Sequence, residues 1–495
     1  MPDFYILGID QSTQGTKGIL FDRAGKLVAR CDRSHEQIIN EKGWVEHDPE
    51  EIYRNTIAVI RDVTEKAGIQ KDQIFAMGIS NQRETAVVWE RGTGKAVYNA
   101  VVWQCARGEA ICERIREAGH AEAIQKSTGL PLSPYFSAAK IAWILENVDG
   151  AREKAEQGQL CCGTVDSWLV YRLTGGKSFK TDYSNASRTQ MFNIKELKWD
   201  SGVCGFFGIP TGCLAEVCGS DADYGETTLE GWLDRPIPIH AVLGDSHGAL
   251  FGQDCRKPGM VKATYGTGSS VMLNTGDRPV FSKKGLVTSL AWSIGGKISY
   301  VMEGNINNTG SVIGWLKKDL HIVDTIQQAH QLAAEANPLD KTYFVPAFTG
   351  LNAPYWDSAA TALFTGITRM TGQAELVKAA VDSIAYQIAD IVNLMREESG
   401  LQLRDLRVDG GPTESRYLMQ FQSDILGLPV QVPDLQELSG MGAAYAAGIA
   451  TGLYDAEHVF DHIRREKYGC TMAPEKSAEL YKGWKSAVRK ALNHE

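Results

Sequence analysis

Four features of this sequence have the residue types and spacing to do chemistry together: a lone carboxylate closing an apolar run, two small-residue bends, and a Gly-Gly turn. The carboxylate is Asp245, in Pro238-Ile-His-Ala-Val-Leu-Gly-Asp-Ser-His247. The run predicts a short strand ending at the acid. Gly244 lets backbone or substrate come close, and Gly248 to Gly252 continues with helical spacing. In open α/β sheets ligands collect at the carboxyl ends of strands. An acid there can take a proton from a substrate lying between two halves of the chain. An aspartate at that point can equally be a helix N-cap.

The first bend is Asp10-Gln-Ser-Thr-Gln-Gly-Thr-Lys17, between the apolar runs Ile6–Ile9 and Gly18–Phe21. Its backbone N–H groups, small hydroxyl residues and Lys17 form an anion cradle. Asp10 is placed to hold a phosphate-bound Mg²⁺ through waters. An ordinary polar hairpin loop has the same composition. The second bend lies in Met260-Val-Lys-Ala-Thr-Tyr-Gly-Thr-Gly-Ser-Ser-Val-Met-Leu-Asn274 and repeats the layout of strand, small-residue turn and strand. Two similar hairpins, one opening each half, predict a duplicated α/β domain whose facing cradles grip a polyphosphate from both sides. Leu406 to Asp409 predicts a strand, followed by Gly410-Gly411-Pro412 and a helix over 415–426. That turn leaves room for a flat base, although Gly-Gly turns are also common without one.

The elements that must position these residues follow in chain order. A helix over 50–67 and a strand over 74–80 lead to Arg83-Glu84, a solvated charge pair or a grip for hydroxyl groups. Ala86–Trp89 and Ala100–Trp103 read as strands, and Trp103 lines a pocket or belongs to the core. Helical patterns cover 108–147 with a break at Gly129–Pro134. Strand and loop signals with several turns cover 151–235, with a helix opening at Asp166. A long amphipathic helix covers 376–397, and Leu438 to Gly448 is a small-residue helix suited to close packing. The last forty or so residues read as surface helices.

The bounds agree. A chain of 495 residues predicts two or three domains. The net charge of −9 argues against a nucleic-acid surface. No apolar stretch is long enough to span a membrane, and the N-terminus enters a strand with no basic leader, so neither signal peptide nor membrane partner is expected. The ten scattered cysteines lack any Cys-x-x-Cys and fit reduced thiols in a cytoplasm.

On these residues the chain resembles the FGGY family of carbohydrate kinases, most closely its glycerol kinase branch, from about residue 4 to about 450. Two signatures carry the resemblance: Tyr135-Phe-Ser-Ala-Ala-Lys-Ile-Ala-Trp-Ile-Leu-Glu-Asn147, and Ala362-Leu-Phe-Thr-Gly-Ile-Thr with Glu375-Leu-Val-Lys-Ala-Ala-Val-Asp382. Thr181–Arg188 and Met419–Leu426 are similar to it as well. The resemblance implies an α/β fold of two duplicated actin-like ATPase (ribonuclease H-like) domains with an interdomain cleft, here 1–250 and 251–450, with a helical extension over 451–495. It implies an ATP- and Mg²⁺-dependent enzyme, a homodimer in the cytoplasm, acting on a small polyol or ketose. Asp245 would be the catalytic base and, with Asp10, a metal-site acid. Ser12, Thr13 and Lys17 would contact phosphate, although the family has Arg where this chain has Lys17, which keeps the charge and loses the fork. Gly266, Thr267, Gly310, Gly411 and Ser415 would line the ATP site, and Arg83, Glu84, Trp103 and Tyr135 would hold the acceptor.

The departures concern the same pocket. Where the glycerol kinase branch has Gln and Phe, this chain has Ser246 and Ser270. Both changes remove bulk and add a hydroxyl. They predict a four- or five-carbon acceptor over glycerol, because unpaired hydroxyls reject a substrate too short to reach them. Gly314 and Ser415 replace Gln and Asn near the nucleotide, Gln104–Arg107 lacks an acid common in the family, and the regulatory sugar-phosphate loop of bacterial relatives is not matched around Asp234-Arg235. Glycerol kinase proper is the alternative within the class. Outside it stand a non-catalytic sugar sensor on a kinase fold and an actin-fold ATPase or chaperone.

Overall fold

Two mixed sheets carry the architecture, and each begins with one of the two bends. The structure, a computed structural model, describes residues 4–492, so the outermost residues of the expected first and last segments lie outside it. In the first half, β1 (Tyr5–Gln11), β2 (Gly15–Phe21) and β3 (Leu27–Ser34) pair antiparallel. β4 (Ile74–Asn81) then adds parallel to β1. With the short β6 (Glu226–Thr227) and with β7 (Ile237–Gly244), which runs parallel to β4, the order is β6-β7-β4-β1-β2-β3. β5 (Ala86–Glu90) belongs to a separate five-stranded sheet.

The second half repeats the plan. β8 (Val261–Tyr265), β9 (Ser269–Gly276), β10 (Val287–Ile294) and β11 (Lys297–Ile306) are antiparallel neighbours in the order β10-β11-β9-β8. β12 (Leu406–Asp409) then pairs parallel to β8, and β13 (Val430–Pro433) parallel to β12. A run of antiparallel strands, three in the first sheet and four in the second, followed by two parallel ones recurs in both, the pattern expected from the twin hairpins.

Helices cover these sheets because their sequences supply one apolar face and clear ends. In α1 (Pro49–Ala67), Asp48 caps the N-terminus by accepting from Glu50 N–H, Pro49 sits in the first turn, and Gly68 closes the helix at φ 65°. Its buried Ile52, Ile57, Val59, Ile60 and Val63 each contribute about 1.5–3 kcal/mol of burial. Between the two sheets lie α3 (Asp245–Gly252) and α7 (Leu438–Ala450). Ile6, Ala241 and Leu243 of the first sheet, Leu250 and Phe251 of α3, Met441 and Ala444 of α7, and Met272 and Val301 of the second sheet form one apolar cluster. The small residues of α7 make that approach available. A Cβ on Gly442 would lie 1.9 Å from the Gly248 carbonyl oxygen, and one on Gly78 2.2 Å from that of Ala443.

Several local expectations change. Asp10 and Lys17 are not in the loop; they are cross-strand partners within β1 and β2, and only residues 12–14 turn. The strand expected over 100–103 stops at Val101, because Trp103 turns into the pocket region instead of the ladder. The 151–235 stretch contains helices Ala151–Glu156 and Val165–Leu173. The C-terminal residues are not surface helices alone. β14 (Arg465–Tyr468) joins the second sheet beside β13, and α8 (Pro474–Leu492) buries Trp484, Ala487 and Val488.

Candidate active site

Asp245 stands where β7 meets α3. The capping position belongs to Gly244, at φ −62° and ψ 148°, so the acid is the first residue of the helix and not its cap. About 35% of its side chain is exposed. Oδ1 accepts from Arg83 Nε at 3.0 Å and from the neighbouring Ser246 N–H at 2.6 Å. Among the described residues both of its hydrogen bonds fall on Oδ1, which leaves Oδ2 for a substrate hydroxyl.

Arg83 is the centre of a buried ion network. Nη1 and Nη2 each donate to Glu303, at 2.9 Å. Arg188 pairs with Glu303 at 3.0 Å and donates to Glu84 at 2.6 Å. The two arginines outweigh the burial of Glu303 and hold its carboxyl well below the usual range. Glu84 itself sits at φ 59°, a left-handed conformation that costs a non-glycine residue about 1–2 kcal/mol. Arg188 on its carboxylate and Ser137 Oγ on its carbonyl (3.1 Å) hold it there. In the sequence Glu303 has no assigned role, and Arg188 enters only as the end of the similar stretch Thr181–Arg188. Glu303 lies inside an alternating strand of β11, where a charge buried on both sides was the available signal.

Trp103 and Tyr135 meet edge to face with centroids 5.5 Å apart. Burial, aided by Glu84, pushes the Tyr135 hydroxyl far above its ordinary range, so it stays protonated and able to donate. Ser246 and Ser270 lie on the same network, and each hydroxyl has a partner there. Ser246 Oγ accepts from Arg83 at 3.1 Å, and Ser270 Oγ donates to Glu303 at 3.1 Å. The expectation of unpaired hydroxyls waiting for a longer acceptor is therefore corrected for Ser270, whose proton is used. Ser246 accepts only, and its proton has no hydrogen-bond acceptor among the described residues; the loss of bulk remains.

Beside this network lies the first bend. Ser12 Oγ donates to the Gly15 carbonyl at 3.0 Å, and Thr13 Oγ1 accepts from Trp103 Nε1 at 2.9 Å. Lys17 Nζ lies 3.6 Å from Asp10 and 2.9 Å from Glu437. Glu437 also binds Arg30. It precedes α7 and was likewise missed, because nothing in its local sequence shows that α7 packs on β1. Burial works against the Lys17 charge, yet Asp10 and Glu437 outweigh it and raise its pKa. Asp10 is pushed up to about 6, by burial first, then by Glu437 and Asp245 against Lys17. Three carboxylates, Asp10, Glu437 and Asp245, gather here against the cations Lys17, Arg30 and Arg83. Asp10, which has only a share of Lys17, is the least compensated acid and the one a divalent cation would suit. Among the described residues no three His, Cys, Asp or Glu side chains stand close enough to ligate one directly. That fits Mg²⁺, which keeps several of its waters.

Across from it, Gly266 and Thr267 form the exposed second bend. Gly310, at the start of α4 (Gly310–Lys318), donates its N–H to Gly266 at 2.9 Å, and a Cβ there would lie 2.5 Å from the Gly266 oxygen. A Cβ on Gly410 would lie 1.9 Å from the Tyr265 oxygen, and its φ is 99°, so only glycine fits. Gly314 and Gly411 face open space. Ser415 is buried and accepts from Leu418 N–H at 3.2 Å as the cap of α6 (Arg416–Leu426). Its hydroxyl is used in holding that helix.

Comparisons with known proteins agree along the whole chain. Residues 5–252 match the N-terminal domain, and residues 261–451 the C-terminal domain, of the FGGY family of carbohydrate kinases. A glycerol kinase of Oceanobacillus iheyensis is 47% identical over 99% of this chain and 98% of its own. One of Carboxydothermus hydrogenoformans is 46% identical over 99% of both. The crystal structure of Plasmodium falciparum glycerol kinase with ADP superposes with a TM-score of 0.94 at 34% identity, covering 99% of both chains. A xylulose kinase of Lactobacillus acidophilus shares the fold, with a TM-score of 0.88 at 24% identity, over 99% of this chain and 98% of its own.

Proposed function

The chain belongs to the FGGY family of carbohydrate kinases and is an ATP-dependent phosphotransferase with an alcohol as acceptor, and from that premise we propose that it phosphorylates a terminal hydroxyl of glycerol. The observation that carries this reading is the Asp245 carboxylate, partly exposed and held on one oxygen by Arg83 and Ser246, with no hydrogen bond on the other among the described residues. The relatives at 46–47% identity that are named glycerol kinase support the acceptor.

In this mechanism Asp245 Oδ2 accepts the hydroxyl proton as the acceptor oxygen attacks the terminal phosphorus of ATP in line. Arg83 and Glu84 grip the acceptor hydroxyls, and Trp103 and Tyr135 wall its carbon chain. Lys17 and the backbone amides of residues 13–15 and 267–268 take up the charge that builds on the phosphoryl oxygens, while the Ser12 and Gly266 N–H groups close their own bends. Asp10, Asp245 and Glu437 would hold Mg²⁺ through water, and the ion supplies charge neutralisation on the phosphates when bound. Gly411 and Gly314, both facing open space, would leave the room a flat adenine needs, and Gly410 and Gly310 hold the backbone around them. Closure of the halves over the acceptor excludes water. The same reading places the enzyme in the cytoplasm as a homodimer; light scattering on the purified protein tests the dimer.

One observation favours a second acceptor. Ser246 and Ser270 are small where the glycerol kinase branch carries Gln and Phe, so the wall is thinner and a four- or five-carbon polyol or ketose fits. A kinetic panel of glycerol, erythritol, threitol, erythrulose, xylulose and ribulose decides between them. The highest kcat/KM with glycerol supports the first reading, and a clear maximum at four or five carbons replaces it with the second.

A further inference from the structure

Lys140 is a signature residue that the mechanism leaves unused, and its surroundings are unusual. It is the fourth residue of α2 (Ser137–Asn147) and is fully buried. A lysine in a helix's first turn carries the wrong sign for the helix dipole, and burying an ammonium is costly. Its Nζ turns back along the chain and donates to three successive carbonyls: Pro134 at 2.5 Å, Tyr135 at 2.5 Å and Phe136 at 3.2 Å. An ammonium has three donors, and here three acceptors meet them. Among the described residues no carboxylate pairs with it at close range.

Those three carbonyls belong to the segment that presents Tyr135 to Trp103. Phe136 also meets Tyr135 edge to face, with centroids 5.2 Å apart, and Arg188 lies over the Phe136 ring. Residues Ser133 to Phe136 form neither helix nor strand, so their conformation has no ladder to hold it. Lys140 supplies the missing fixation.

We propose that Lys140 is the positioning residue of the acceptor pocket, acting through the 134–136 backbone to set Tyr135 against Trp103. The role rests on the reading of Tyr135 as an acceptor contact. It does not extend to the nucleotide, whose bends lie on other elements. Burial lowers the Lys140 ammonium to about 7. Glu84 from the turn after β4, Cys105 from the loop beyond Trp103 and Cys112 from the helix Glu109–Glu117 oppose that shift, and Arg107 adds to it. Loss of the proton leaves two donors for three carbonyls.

The test compares Lys140→Met, Tyr135→Ala and the double variant, with the best acceptor of the panel above and with ADP. In Lys140→Met the acceptor KM should rise about tenfold or more, as a slightly displaced contact does, while the ADP dissociation constant stays within about twofold. The double variant should then bind acceptor no worse than Tyr135→Ala. An unchanged acceptor KM in a folded Lys140→Met, or an equal loss of ADP affinity, overturns the proposal. If Tyr135→Ala leaves acceptor KM unchanged, the pocket reading itself is wrong and the role of Lys140 goes with it. If Lys140→Met does not fold, the unmodified protein decides. Acceptor affinity should weaken between about pH 7 and about pH 8.5, and less so in Tyr135→Ala, and a flat acceptor affinity in the unmodified protein contradicts the role.

Discussion

Asp10 carries the clearest consequence at the scale of single residues. Its folded pKa, about 6, lies above its ordinary value. The folded chain therefore holds a proton that the unfolded chain releases, and on this group's account stability falls as pH rises toward 6. Above that pH the buried Asp10 charge, only partly met by Lys17, favours a cation. Added Mg²⁺ should raise the melting temperature increasingly from about pH 5 to about pH 7, and Asp10→Asn should lose that dependence; calorimetry at a series of pH values measures it. Glu303 is the second case. Glu303→Gln removes one charge from between two buried arginines and should cost about 3–5 kcal/mol of stability in denaturant unfolding. Arg83 and Asp245 were legible in the sequence because each ends a strand beside a turn. Glu303 and Arg188 were not, since the pairing that makes them matter joins β11 to a segment more than a hundred residues earlier.

At the scale of elements, the site depends on how closely α3 and α7 pack. Gly442→Ala puts a methyl group 1.9 Å from the Gly248 oxygen in the middle of α3. It should displace the helix that begins with Asp245, lowering kcat more than it lowers ADP affinity, which paired turnover and binding assays resolve. Gly410→Ala meets the Tyr265 oxygen at the same distance with φ at 99°, and should cost about 3 kcal/mol or more and abolish ADP binding. The small-residue pattern of α7 announced close packing in the sequence. Its partner was not legible: α7 follows the second sheet in the chain but lies against β1, β4 and α3 of the first half. The C-terminal residues misled for a related reason. Trp484 and its neighbours recur at helical spacing on one face, but mixed charges between them resemble a solvated surface.

At the scale of the molecule, one strand plan occurs twice and each copy opens with a bend; the proposed function requires both bends and Asp245 to face one cleft. The repeat was visible in the sequence because each half opens with the same hairpin layout. If closure of the halves assembles the site, ATP hydrolysis without acceptor should be slow, and small-angle scattering should show a smaller radius of gyration with nucleotide and polyol together than with either alone. The acceptor's size was the least legible property. Pocket volume depends on what Ser246 and Ser270 bond to, and their partners, Arg83 and Glu303, come from different strands. The role of Asp245 is open to the most direct measurement: phosphoryl transfer from ATP to the acceptor in Asp245→Asn, with nucleotide affinity measured on the same preparation. We predict intact ADP binding and a kcat lower by roughly 10³-fold or more; turnover near that of the unmodified enzyme would contradict a base at this position.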